Sequence, residues 1–198
     1  LSSRTQVSVV DPSRLTAGSN YAARFGTSAL FLLESEKPIA SESPDHKSPR
    51  GALYDNSKNL RFNAKVYQLC GRPADFALLD LGCAGGGLVR SVLDDGFLAV
   101  GLEGSDPAQS WGPAEWGHSP LHLFACDITD PFHLRQAKIP HDLQTFHVVT
   151  AWEVLEHIPE DRLDMLIGNI ATHLKPGGYF VASVDTLPDG NLVSDSIY

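Results

Sequence analysis

The chain has 198 residues, a hydrophobic content of 42% and a formal net charge of -9. One substantial core fits that length and a second domain of equal size does not, while the acidic balance disfavours nucleic acid as a partner. No apolar stretch approaches the length of a membrane span, and no basic region followed by an apolar core opens the chain as in a secretory signal. Three cysteines, Cys70, Cys83 and Cys126, lie in no metal-ligand spacing, so free thiols in a reducing, cytoplasmic setting are expected.

In chain order, residues 1–75 are expected to form an N-terminal lid or helical extension, and residues 76–198 the main domain. Residues 34–57 are rich in Ser, Pro, Glu and Asp without helical or strand periodicity, which predicts a long loop or lid. A helix capped by Asn56 or Ser57 then runs to Cys70, with Leu60, Phe62, Val66, Tyr67 and Leu69 as its apolar face. Tyr54, Asp55, Asn56 and Arg61 are candidate pocket residues, or they cap and solvate that helix.

The most informative stretch follows. Residues 77–81 read as a buried strand, and Gly82-Cys-Ala-Gly-Gly-Gly87 breaks it into a glycine-rich turn before a helix over residues 88–93. Glycines there let a backbone approach a nucleotide-type ligand, and the helix N-terminus offers unpaired N–H groups to it. The Gly-Lys-Ser/Thr ending of a Walker loop is absent. Gly82 and Gly87 fit the dinucleotide pattern G-x-G-x-x-G loosely, with Ala84 in the second glycine slot.

A second strand, residues 97–102, ends at Glu103, about 20 residues beyond the loop, where an acid reaches ribose hydroxyls. Trp111-Gly-Pro-Ala-Glu-Trp116-Gly-His118 reads as an irregular loop that packs its aromatic faces as a hydrophobic clasp. No role follows for His118 or His122. A third strand, residues 121–126, ends at Asp127-Ile128. The fourth, residues 146–150, runs into Ala151-Trp152-Glu153-Val154-Leu155-Glu156-His157, and the fifth, residues 179–184, follows a helix stop at Leu174-Lys-Pro-Gly-Gly178. Strands alternating with helical segments, each closing on an acid or small polar residue, describe a parallel sheet with its ligand along the carboxyl edge.

Asp80-Leu-Gly82-Cys-Ala-Gly85, Glu103, Cys126-Asp127, Glu153-Val-Leu-Glu156-His157 and Leu174-Lys-Pro-Gly-Gly178 stand in the order found in class I S-adenosylmethionine-dependent methyltransferases, a family this chain resembles over residues 76–185. The resemblance implies an α/β, Rossmann-like, doubly wound and mostly parallel sheet flanked by helices, with S-adenosyl-L-methionine as cofactor. Asp80 and the carbonyl near Gly82 would face the methionine amino group, with Cys83 and Ala84 in the same loop. Glu103 and Gly104 would flank the ribose, Asp127 and the Ile128 N–H would read the adenine edge, and Ala151 and Trp152 would lie beside the sulfonium. Blander roles stand beside these: Asp80 holding the turn, Asp127 starting a plain turn or helix cap, Cys83 as packing.

Glu153, Glu156 and His157 resemble the metal site of small-RNA 2′-O-methyltransferases, but those enzymes add a histidine after the fifth strand and none follows Val184 here. A structural role for this segment, with no metal, is therefore preferred, and His157 is the candidate general base. The basic strip Lys47, Arg50, Lys58, Arg61 and Lys65 is interrupted by Asp45 and Asp55, which favours a small-molecule or glycan acceptor over RNA. No Asn-Pro-Pro-Tyr motif follows the fourth strand, so O-methylation of a small-molecule or sugar hydroxyl is expected. The alternatives are a metal-assisted RNA 2′-O-methyltransferase and a non-catalytic interaction module. Only residues 185–198 follow Val184, so the sheet is expected to lack the last two strands of the family pattern.

Overall fold

The computed structural model describes residues 5–6, 31–37, 39–42, 56–105, 115–116, 121–136 and 139–185. At its centre lies β3 (Ala77–Leu81), all five residues of which are buried. Such a continuous apolar run suits a strand covered on both faces, and its pleat divides the side chains between two cores. Leu79 and Leu81 enter one core with Val149 and Ala151, whereas Leu78 enters the other with Val89, Val92 and Val148.

Four further strands run parallel to it: β4 (Leu98–Glu103), β5 (Leu123–Ala125), β8 (Phe146–Trp152) and β9 (Leu174–Ser183). Their order is β5-β4-β3-β8-β9, so the chain starts in the middle, winds outward on one side and then crosses to the other. The switch point falls between β3 and β8, and it puts the loop after β3 at the carboxyl edge where such sheets take their ligand. This is the doubly wound parallel sheet that the sequence predicts.

Two helices cover one face. The amphipathic α2 (Gly87–Asp94) follows β3 directly and buries Leu88, Val89, Val92 and Leu93. Before the sheet comes α1 (Leu60–Leu69), whose N-cap is Asn59, accepting the Phe62 N–H at 3.0 Å. The cap thus falls two to three residues after the expected Asn56 or Ser57, because Asn59 is the residue whose carboxamide reaches back to the first turn. Leu60 and Leu69 are exposed; Val66 packs inward with Asn63, which donates to Ser91 Oγ at 2.9 Å, while the Tyr67 hydroxyl donates to Asp95 at 2.8 Å.

The other face differs from a simple alternation of strands and helices. Between β5 and β8 the chain forms β6 (Phe132–Gln136) and β7 (Ile139–Leu143), an antiparallel pair in place of a helix. With β1 (Thr5–Gln6) and β2 (Phe31–Ser35) they make a second sheet of order β1-β2-β6-β7. Phe31 and Leu33 of β2 and Phe132 and Leu134 of β6 alternate inward onto the parallel sheet. Residues 31–35 are therefore a paired strand, and the irregular N-terminal segment begins later than expected.

Beside this sheet lies α3 (Leu163–His173), which contributes Leu166 and Ile170 to the same core. Two polar side chains fasten it. Asn169 donates to the carbonyls of Ile128 and Asp130 at 2.9 and 2.8 Å, and the buried His173 Nε2 accepts the Leu134 N–H at 3.1 Å. That pairing leaves Nδ1 as the donor to Asn169 O, and burial holds the imidazole below its ordinary pKa. The fifth parallel strand starts at Leu174, earlier than expected: Pro176-Gly177-Gly178 stays inside β9 as an irregularity opposite 146–148, with Gly177 at φ 77°. Among the described residues no helix is long and apolar enough to cross a membrane.

Candidate functional site

Every strand of the parallel sheet ends at the same edge, and of the groups expected there Asp80, Gly82, Cys83, Ala84 and Glu103 lie at the loop after β3. Gly82 (φ 69°) and Gly86 (φ 84°) take left-handed backbone, as does Ala84 (φ 48°), a conformation unusual for a residue with a Cβ. Gly82 has a second reason to be glycine: an added Cβ would lie 2.4 Å from Val154 Cγ2. The N–H groups of Gly82 and Cys83 both donate to Leu102 O, at 2.8 and 3.0 Å, and this ties the loop to the end of β4.

Asp80 is buried on the edge of the loop and accepts the Thr150 hydroxyl at 2.7 Å, a contact between the ends of β3 and β8. Glu103, also buried, accepts two backbone N–H groups: Ala84 at 2.9 Å on Oε2 and Ser105 at 3.0 Å on Oε1. Asp80, Gly82, Cys83, Ala84 and Glu103 thus form one connected group. The Cys83 side chain points into the core, where an added Cβ on Gly101 would meet its sulfur at 2.6 Å, and burial raises its thiol pKa well above the ordinary value. The Cys83 backbone bonds within the loop region, its N–H to Leu102 O and its carbonyl accepting the Gly86 N–H at 2.8 Å, while its side chain packs in the core.

Gly104 and Asp127, at the ends of β4 and β5, are bridged from the N-terminal side. Ala40 N–H donates to Gly104 O at 2.9 Å, and Asp127 N–H donates to Lys37 O at 3.2 Å. Two ion pairs hold this strap, Lys37 to Asp130 at 2.9 Å and Arg162 to Glu42 at 3.5 Å. The Asp127 carboxylate closes a local turn by accepting the N–H and hydroxyl of Thr129 at 3.0 and 2.7 Å on Oδ1. Ile128 follows, buried, its carbonyl taken by Asn169.

At the end of β8, Ala151 is fully buried and Trp152 half-buried, its ring edge-to-face with Phe62 of α1 at 4.9 Å. Glu153 then turns left-handed (φ 51°), and Leu155–His157 make a single 3-10 turn. Glu153 therefore does not share a helical face with Glu156, whose Oε1 accepts the Asp185 N–H at 3.2 Å. Among the described residues no three His, Cys, Asp or Glu side chains are grouped as a metal would need. His157 lies in that turn, its N–H donating to Val154 O at 3.0 Å.

Four participants were not singled out from sequence as site residues. Thr150 is one; a hydroxyl one strand from an acid carries no local signal. Ser105 is another, buried with its Oγ lacking a hydrogen-bond partner among the described residues. The third is the strap at Lys37 and Ala40. The fourth is the pair Glu115-Trp116, which lies on the loop itself; Trp116 had been expected to pack as a clasp. Tyr54, Asp55, Trp111, His118 and the Lys47 and Arg50 end of the basic strip lie outside the described residues.

A family model described as a methyltransferase domain matches residues 43–194. The ubiquinone biosynthesis O-methyltransferase of Serratia proteamaculans is 30% identical over 124 residues, covering 61% of this chain and 46% of that protein. Its counterpart from Coxiella burnetii is 28% identical over 102 residues, covering 51% and 40%. The chain thus spans a little under half the length of these curated relatives. Among solved structures, an S-adenosylmethionine-dependent methyltransferase from Clostridium acetobutylicum shares the fold, with a TM-score of 0.51, 21% identity, and coverage of 71% of this chain and 54% of that one.

Proposed function

The chain belongs to the class I S-adenosylmethionine-dependent methyltransferase family, and from that premise we propose that it methylates a hydroxyl oxygen of a small molecule or sugar. The observation that carries the cofactor reading is Glu103, placed at the end of β4 with the glycine loop hydrogen-bonded to it. Its carboxylate accepts the loop's Ala84 N–H on one oxygen and the Ser105 N–H on the other, which fixes an acid at the strand end where a ribose hydroxyl would lie. The buried Ser105 Oγ beside it, without a hydrogen-bond partner among the described residues, offers one more polar contact. These donors and acceptors suit S-adenosyl-L-methionine. Asp80 and the Gly82 carbonyl would hold its amino group, Cys83, Ala84 and Gly104 would line its path in van der Waals contact, Asp127 and the Ile128 N–H would meet the adenine, and Ala151 and Trp152 would flank the sulfonium.

When bound, that cofactor supplies a methyl group made electrophilic by its sulfonium. The protein's part is then to hold the acceptor oxygen in line with that carbon and to exclude water. Trp152 and Phe62 form an apolar wall between β8 and α1. His157 is the proposed proton acceptor for the hydroxyl, an imidazole being suited to that task near neutral pH. His157 would take up the proton that the acceptor hydroxyl gives up as its oxygen receives the methyl group the cofactor would supply.

O-methylation is supported by the printed activity of the two curated relatives. The net charge supports a small acceptor over a nucleic acid. Of residues 1–75, β2 and α1 pack into the cores of the domain formed by residues 76–198, so a lid would come from the strap after β2, and the three free cysteines support a cytoplasmic setting.

Calorimetric titration with S-adenosylhomocysteine, beside Glu103→Ala, tests the reading. Micromolar binding by the parent and a loss of at least tenfold in the variant are expected. Hydroxyl acceptors screened with labelled S-adenosylmethionine, with and without a chelator, then identify the acceptor class. No binding by the parent would overturn the methyltransferase reading and favour an interaction module.

A further inference from the structure

We infer that Trp116 is a positioning residue for the cofactor loop, and that the pair Glu115-Trp116 couples that loop to the lead-in of α1 through Asn56. The inference rests on the proposed cofactor site, but its observations are independent of it. Ala84 is the loop residue that most needs holding, because a side chain at φ 48° disfavours the conformation the loop requires. Both of its backbone polar groups are gripped. Its N–H donates to Glu103, and its carbonyl accepts the Trp116 indole N–H at 2.8 Å.

Next to it, Gly85 O accepts the Glu115 N–H at 3.1 Å, so consecutive loop carbonyls are held by consecutive residues of one short segment. The Glu115 side chain spreads the grip. One oxygen accepts Asn56 Nδ2 at 3.2 Å and the other lies 3.6 Å from Arg90 of α2. Asn56 in turn rests on the loop's far end, since a Cβ added to Gly87 would meet Asn56 O at 2.3 Å. Trp116 itself is buried, so its indole N–H has exchanged water for this one acceptor.

A loop fixed in this way binds its ligand without losing its own freedom at that moment, which is what preorganisation contributes to affinity. The same contacts tie the N-terminal segment to the loop: ordering one end favours the other. In a loop with glycine at position 84 the strain would be absent and the grip less needed. The indole clamp is this chain's answer to carrying alanine there.

The test uses the full chain and S-adenosylhomocysteine as the probe. Trp116→Phe keeps the ring and removes the donor; it is expected to weaken binding about tenfold and to speed backbone hydrogen exchange at residues 84–87 in the ligand-free protein by a similar factor. Exchange in β3 and β8 should be unchanged, which a general loss of stability would not allow. Asn56→Ala is expected to weaken binding about threefold, and the double variant by less than the product of the two. If the parent binds and Trp116→Phe binds equally well with unchanged loop exchange, the positioning role is overturned; additive effects in the double variant overturn the coupling. Should the parent fail to bind, the cofactor reading fails, and loop exchange in the variant still decides whether the clamp exists. Should Trp116→Phe fail to fold, Asn56→Ala and Glu115→Gln are read for loop exchange alone, with faster exchange expected and no change counting against the clamp.

Discussion

The Thr150 hydroxyl donates to Asp80 Oδ1 at 2.7 Å, joining the two central strands of the parallel sheet at the point where the ligand crevice opens. Both residues are buried, so the hydroxyl offsets part of the cost of keeping a carboxylate away from water. Thr150→Val removes that donor at nearly constant volume and should cost about 1–3 kcal/mol. Urea denaturation measures it, and an unchanged midpoint would show that the contact contributes nothing net.

Glu103 is expected to be less replaceable by glutamine than its shape suggests. Its two oxygens each accept a backbone N–H, from Ala84 and from Ser105. A glutamine turns an NH2 group toward one of them, so two donors face each other in a buried place. Glu103→Gln should therefore lose about 1–3 kcal/mol of stability and weaken S-adenosylhomocysteine binding, as read by thermal unfolding with and without ligand.

Gly87→Ala tests the contact between α1's lead-in and the loop. The added methyl would meet backbone atoms, Asn56 O at 2.3 Å and Ser57 O at 2.6 Å, which cannot step aside as a flexible side chain would. Residues 56–59 must move, and a loss of about 1–3 kcal/mol is expected in chemical denaturation despite alanine's better helix propensity.

His122 predicts an acid-sensitive stability. Burial pushes its imidazole down to about 4, with a smaller opposing effect from its bond to Ala99 O. The unfolded chain takes up a proton at this residue near its ordinary value of 6.5, whereas the folded chain resists until about pH 4. Its contribution is therefore fully present above 6.5 and lost as pH falls from 6.5 toward 4, by about 3 kcal/mol in total. The measurement is urea unfolding at pH 7.5, 6, 5 and 4.5; His122→Asn should give a shallower decline than the parent by up to one proton, and an equal slope would refute the assignment.

The parallel sheet was legible because β3, β4, β5 and β8 are short apolar runs leading to an acid or small polar residue, a pattern that burial on both faces dictates, and because the run over residues 179–184 repeats it at the less buried edge. The place of Glu103, at the end of β4 and against the loop, was legible from its spacing. The antiparallel pair β6 and β7 was not, although Phe132 and Leu134 alternate with His133 and Arg135: four residues of period two are too short a signal against an expected helix. Strand β2 was equally hidden, since its pairing partner lies far along the chain and not beside it. The helix cap slipped from Asn56 to Asn59 because Asn56, Ser57 and Asn59 are all competent caps, and tertiary contacts choose among them. Trp116 read as an apolar clasp, and its polar atom turned out to matter, because no sequence pattern tells which carbonyl an indole N–H will find.

The pairing of β2 with β6 also sets an order of events during synthesis. Glu34 and Arg135, which meet across that pair at 3.2 Å, are separated by 101 positions, so the early strand emerges from the ribosome long before its neighbour exists. Closing such a long loop is entropically slow, and Phe31 and Leu33 stay exposed to solvent or to a chaperone in the interval. The glycine loop after β3 can take shape while its N-terminal strap still waits. Docking of β2 onto the core thus waits for a strand made about a hundred residues later.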